Sequence, residues 1–206
     1  MSSSEPGVDL IERKVIQLFA LVTEAVARST DALLGGQPEL GQSVIDGDQD
    51  VDDLTAEVEL LVWDRLNTGP MQGAELRHMV ALLLIIPELE RSADLAEHIA
   101  QRAVTNLGNE LSARSRGIIQ LMTEVATEMW QAAADAFVDR SKHGDRLVEA
   151  DEEMDVLHVS LTEEVAAEGM PTAVAAQVTL LARFYERLGD HAVNLARRIE
   201  LLRDAE

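Results

Sequence analysis

"FYERLGDHAVNLA", residues 184–196, and "ELERSADLAEHIA", residues 88–100, carry the same acid spacing on the same apolar frame. Each has the form E-x-x-x-D: Glu186 and Asp190 in the later stretch, Glu90 and Asp94 in the earlier one. Four residues is close to one helical turn, so each pair stacks on one helix face. The two stretches lie 96 positions apart, and two earlier pairs extend the likeness toward the N-terminus of each half. "VIQLF" at 15–19 answers "IIQLM" at 118–122, 103 positions later, and "VIDGDQDVDDL" at 44–54 answers "LVEADEEMDVL" at 147–157 at that same offset. The offset shrinks by seven residues, close to two helical turns, between the second and third segments of each half. One turn lost from each arm of a hairpin leaves the inward faces in register. A tandem duplication of a three-helix unit follows.

The helices themselves are readable from periodicity and breakers. Ile11, Val15, Leu18, Val22 and Val26 recur at helical spacing over residues 8–34, ending at "GGQPELG". Further helices are expected at about 39–67 and 71–106, then 110–141, 143–168 and 171–204, separated by "NTGP", "NLGNELS", "KHG" and "EGMP". The expectation is an all-α chain of two three-helix bundles, residues 8–107 and 108–206, after a short mobile leader, 1–7. Pro87, inside the third helix, should kink it or open a carbonyl one turn before Glu90.

Composition agrees. The 206 residues are 47% hydrophobic but only 3% aromatic, so the core is aliphatic and alanine-rich, as close helix packing requires. Thirty-eight acids against 17 Lys and Arg give a net charge of −21, which repels polyanions, and no basic patch offsets it; nucleic acid is not an expected ligand. With no cysteine, disulfides and thiolate metal sites are excluded. The leader "MSSSEPGVDL" lacks the pattern of a signal peptide, and the longest apolar run, "MVALLLIIP" at 79–87, falls far short of a membrane span. A cytoplasmic protein is expected, reaching membranes only through partners.

The acids point to metal. The second helix of each half adds a pair to those above, Asp48 and Asp52 in the first half and Asp151 and Asp155 in the second. Counted from the hairpin turn at Met170, Asp155 and Glu186 lie 15 and 16 residues away, and Asp151 and Asp190 lie 19 and 20 away. Counted from Pro70, Asp52 and Glu90 lie 18 and 20 away, and Asp48 and Asp94 lie 22 and 24 away. Antiparallel helices rise equally per residue, so each half can bring four carboxylates to one level. Such a quartet repels itself unless a cation or water separates the charges. Mg, Mn, Fe or Zn suits these oxygen ligands. Asn194 and its counterpart His98, and His158 near Asp155, are possible supporting groups, and Arg91 and Arg187 can pair with acids. No nucleophile arrangement or phosphate loop stands out, so a catalyst is not expected.

"ARFYERLGDHAVNLARRIE", the duplicated plan and the acidic "EADEEMDVLH" together resemble the PhoU family of phosphate-uptake regulators. The family pattern E-R-[IL]-G-D-H-x-x-N is met in full by Glu186, Arg187, Leu188, Gly189, Asp190, His191 and Asn194. In the first half Glu90, Arg91 and Asp94 fit it, while Ser92, Ala93, Leu95 and His98 depart. The resemblance implies a cytoplasmic negative regulator that contacts the nucleotide-binding subunit of a phosphate ABC transporter and a sensor histidine kinase, binds metal clusters on the bundle surface, and forms homodimers. Two rivals remain. A ferritin-like di-iron carboxylate enzyme would need Glu-x-x-His motifs on two helices of one bundle; Glu75 to His78 is the sole example, with Asp155 to His158 a partial second. The other is a metal-free helical adaptor for another transporter.

Overall fold

The computed structural model describes residues 6–139, 144–167 and 169–203. Residues 1–5 of the expected leader lie outside these, as do Lys142 and His143 of the expected "KHG" break. Six long helices carry the chain: α1 (Pro6–Gly35), α2 (Pro38–Asn67), α3 (Gly73–Val104), α4 (Ala113–Asp139), α5 (Gly144–Ala167) and α6 (Thr172–Arg203). Among the described residues there is no strand. One 3-10 turn, Leu107–Glu110, joins the halves. The first helix begins two residues earlier than expected, on a proline, which lacks the N–H that a first helical turn leaves unused.

Local chemistry places the ends. At the close of α1, Gly36 turns left-handed (φ +62°) and the Gln37 N–H returns to Ala32 O at 2.9 Å, after which Pro38 opens α2. At the end of α3, Asn106 takes the left-handed conformation (φ 60°). The turn that follows then docks on the end of α1, so tightly that a Cβ on Gly108 would stand 1.9 Å from Leu33 O. Arg116 from α4 clips the joint, donating to Gly108 O at 2.8 Å and also to Leu34 O. Gly108 is thus required by backbone approach rather than by a turn.

Each unit is a three-helix bundle: α2 packs on α1 and α3, and α5 on α4 and α6. The units meet through α1 against α4 and α3 against α6, so four helices form the centre and α2 and α5 lie outside. The apolar residues expected on α1, Ile11, Val15, Leu18, Val22 and Val26, are all buried. Both units feed one contiguous core. Its few aromatics gather where α1 meets α4, with Phe19 packed on Phe137 and Trp130 at ring separations of 5.6 and 6.3 Å. Polar groups buried beside them are bonded to one another, as burial demands. Tyr185 Oη lies 2.5 Å from Thr30 Oγ1, which takes a further bond from Thr123 Oγ1 at 3.1 Å, tying α6 to α1 and α4. Burial pushes the Tyr185 phenol up to about 12.

The third helix runs unbroken through Pro87. Proline offers no N–H to the turn before it, and beside that gap Arg198 of α6 donates to Leu84 O. The carbonyl that Pro87 frees is that of Leu83, four residues back, so the bond from Arg198 falls on its neighbour and not on the opened group.

Candidate metal centre

All eight acids lie along the two outer seams, α2 against α3 and α5 against α6. In each seam the paired positions repeat: Asp48 and Asp151 are half-buried, Asp52 and Asp155 exposed, and Glu90 and Glu186 half-buried. Asp94 and Asp190 differ, the first half-buried and the second exposed.

The charges feel one another across each seam. Asp48 is pushed up to about 6, first by burial, then by Asp52 on its own helix and by Asp94 of α3. Glu90 is raised by burial and then by Asp94 and Asp52, and Asp94 by burial and then by Asp52. In the second seam, burial raises Asp151, with Asp155 and then Asp190 of α6 adding to it. Glu186 is raised by burial and then by Asp190, while Arg183 and His158 pull the other way. These couplings join residues on both arms of each hairpin, as the matched depths require. The rotation that the sequence left open is settled for Asp151, whose Oδ1 would stand 3.3 Å from a Cβ on Gly189. Glycine at that point of the "ERLGDH" run thus gives the α5 carboxylate its room against α6.

The chemistry of the two seams diverges around this shared plan. The first is the more acidic. Glu97 raises Asp48 and Asp94, Glu59 raises Glu90, and sequence reasoning named neither. Their signal was available, since Glu97 follows Asp94 by three residues and shares its helix face. Asp48 further lines a pocket of about 120 Å³ where α1, α2 and α3 meet. In the second seam Arg197 tempers Asp151, and Arg183 Nη1 lies 2.6 Å from Glu186 Oε2. That Oε2 is buried, and apart from this ion pair it accepts no hydrogen bond.

An oxygen-only donor set of half-buried and exposed carboxylates that repel one another suits a hard cation. Among the described residues, no three acidic or imidazole groups already stand in ligating positions. Cation binding therefore requires side-chain rotation, which these partly exposed positions allow.

The supporting groups find varied places. His158 sits near enough to Glu186 to act on it, and His98 on Asp94. Arg91 pairs with Glu88 at 3.0 Å rather than with a seam acid. His191 of the family pattern faces away from the seam, its Nδ1 2.8 Å from Ser92 Oγ on α3. Ser92 donates its own proton to Glu88 O at 2.6 Å, so the imidazole Nδ1–H is the donor toward it. Trp130 of α4 donates to Leu188 O at 3.2 Å, holding the same run from behind. The pair that a di-iron enzyme would use is occupied otherwise: Glu75 meets Arg65, and His78 Nε2 lies 3.3 Å from Glu12.

Comparison with known proteins agrees with this duplicated plan. The PhoU domain family matches residues 15–103 and again 119–199. A Rhizobium meliloti protein named phosphate-specific transport system accessory protein PhoU homolog is 28% identical, over 97% of this chain and 86% of its own. A protein of that name from Aquifex aeolicus is 30% identical over 85% of this chain and 81% of its own. The crystal structure of PhoU from Pseudomonas aeruginosa superposes with a TM-score of 0.88 at 21% identity, covering 97% of this chain and 98% of that one. The phosphate transport system regulatory protein PhoU from Streptococcus pneumoniae gives 0.83 at 20% identity, over 96% and 95%. Two copies of one domain in sequence, and two three-helix units in space, make this chain a member of the PhoU family.

Proposed function

We propose that this chain is an accessory regulator of phosphate transport that works by protein contact, not by catalysis, with its two acidic seams held together by cations. One observation supports the cation reading above the rest: in both copies of the repeat, burial and then acids on both arms of the hairpin raise the pKa of half-buried carboxylates, Asp48 and Glu90 in the first and Asp151 and Glu186 in the second. Asp48, Asp52, Glu90 and Asp94 would hold the first cation or cluster, and Asp151, Asp155, Glu186 and Asp190 the second. Mg, Mn, Fe or Zn would supply the positive charge that these groups lack.

The names of the relatives support the phosphate-transport role. In this reading the chain acts in the cytoplasm as a homodimer. It docks on the nucleotide-binding subunit of a phosphate ABC transporter and on a sensor histidine kinase, and quiets both when phosphate is ample. Among the described residues no helix is long and apolar enough to cross a membrane, so membrane contact would pass through the partner.

Metal analysis of protein purified without chelator, beside Glu186→Ala and Asp190→Ala variants, tests the cation half. Wild type is expected to carry metal that the variants lose; equally low content in all three refutes it. A pull-down from phosphate-replete cells tests the partners, and recovery of neither transporter nor kinase counts against them.

A further inference from the structure

The contact between α3 and α6 has a repeated pattern that is complete at one end and lacks a carboxylate at the other. Arg198 on α6 and Arg102 on α3 occupy equivalent places in the repeat, 96 positions apart. Arg198 crosses to α3, where it bonds Leu84 O and meets Glu88 Oε1 at 2.8 Å. Arg102 crosses to α6, where the residue in the place of Glu88 is Phe184. Its guanidinium therefore lies over a ring, 4.8 Å from the centroid, with His98 stacked on that ring at 5.3 Å.

Stacking satisfies the face of a guanidinium and leaves its edge donors unused. Arg102 Nη1 donates to His98 O at 2.8 Å and more weakly to Gln101 Oε1 at 3.4 Å. Its Nε is buried without a hydrogen bond, and so is His98 Nδ1. Burial lowers the Arg102 pKa, and no carboxylate among the described residues offsets this. Unbonded buried donors are rare in folded proteins, and on a cation they cost most.

Arg102 also lines a cavity of about 470 Å³ at the junction of the α3 end, the 3-10 turn and the first turns of α6. Gln101 and Gln177 give it amide groups, while Leu107 and Val174 give it an apolar wall. Pockets of roughly 300–1,000 Å³ with a few convergent polar groups are the common form of small-molecule sites. Glu110 lines it too, and with a net charge of −21 on the chain a single negative charge is favoured over two.

We propose that this cavity binds a small organic monocarboxylate, its carboxylate meeting Arg102 on the side that lines the cavity and supplying the charge that Glu88 supplies to Arg198, and its hydrocarbon part against Leu107 and Val174. The reading is independent of the acidic seams and of phosphate transport.

The test is a titration of the full, isotopically labelled chain with butyrate, read at the Arg102 Nε–H and Val174 amide resonances. Chloride and inorganic phosphate at matched ionic strength are the other arms. Butyrate is expected to give a saturable shift that the other anions do not. Arg102→Gln should weaken the midpoint, read at Val174, by about tenfold or more, the usual worth of a hydrogen bond to a charged group. Phe184→Glu, which installs the missing carboxylate within the chain, should abolish the response while helical circular dichroism persists. If that variant does not fold, Arg102→Gln alone decides. A butyrate shift no different from that of chloride, tighter binding of inorganic phosphate, or an unchanged midpoint in Arg102→Gln overturns the proposal.

Discussion

Replacing Asp48 by asparagine should stabilise the metal-free protein, although the position faces the proposed cation. Asp48 is the acid with the largest resolved rise, from an ordinary value of 3.8 to about 6. A carboxyl that holds its proton more tightly when folded favours the fold below its unfolded pKa and loses that advantage as pH rises through the folded value. Stability in chelator should therefore fall between about pH 4 and pH 6 and stay low above it. At about 1.4 kcal/mol per pH unit the rise sets an upper bound of about 3 kcal/mol. The side chain is only half-buried, and solvent screening reduces this to about 1 kcal/mol. For a chain of this length that is a melting shift of about 2–4 °C. Asp48→Asn in EDTA at pH 7.5 is expected to melt that much higher than wild type, with the gap closing near pH 4.5, where wild-type Asp48 is protonated. Added Mn should then raise wild type through ligand linkage and leave the variant behind. A variant that melts lower than wild type in EDTA at pH 7.5 refutes the uncompensated burial and repulsion of charge on which the cation reading depends.

Other positions give independent checks. Glu88→Ala removes the buried carboxylate that Arg198 and Arg91 share, leaving Arg198 partly stranded; urea denaturation should show a loss of about 2–3 kcal/mol, against under about 1 for Arg91→Ala, whose side chain is 45% exposed. Tyr185 is the single tyrosine of the chain, so absorbance near 295 nm should show no phenolate at pH 10.5, and Tyr185→Phe should cost about 1 kcal/mol through the lost bond to Thr30. Gly189→Ala puts a Cβ 3.3 Å from Asp151 Oδ1, so cation affinity should fall severalfold in calorimetry while the melting point in chelator moves by less than about 2 °C.

The helices and seams were legible because both depend on spacing within a helix or a hairpin. Apolar residues such as Val15, Leu18 and Val22 mark the buried stripe by period alone, and counting from Met170 fixes which acids share a level. What connects the units was not legible. Glu88 stands four residues before Ser92 in an acidic run and reads as one more surface charge, yet it is 4% exposed. His191 sits inside the acidic motif and reads as part of it, yet it reaches Ser92 on the other unit. These roles are set by how one bundle is rotated onto the other, which no local period records. The 3-10 turn at 107–110 is a similar case, since the contact of Gly108 with Leu33 joins residues 75 positions apart.

The duplication explains why α3 and α6 carry two kinds of residue on two faces. Each must present acids outward to its own hairpin partner, α2 or α5, and pack its other face against its twin in the second unit. The two requirements alternate along the run: Glu88, then Glu90, then Ser92 and Asp94 on α3, and Asp190 beside His191 on α6. Outer helices carry only the first requirement, and their acids, Asp48 and Asp52 against Asp151 and Asp155, recur at one offset just as those of α3 and α6 recur at another. The faces turned to the twin helix have been freer to part, and so Glu88 stands opposite Arg198 where Phe184 stands opposite Arg102. A repeat that kept its outward acids while dividing its inward contacts has conserved the surface chemistry and let packing settle the rest.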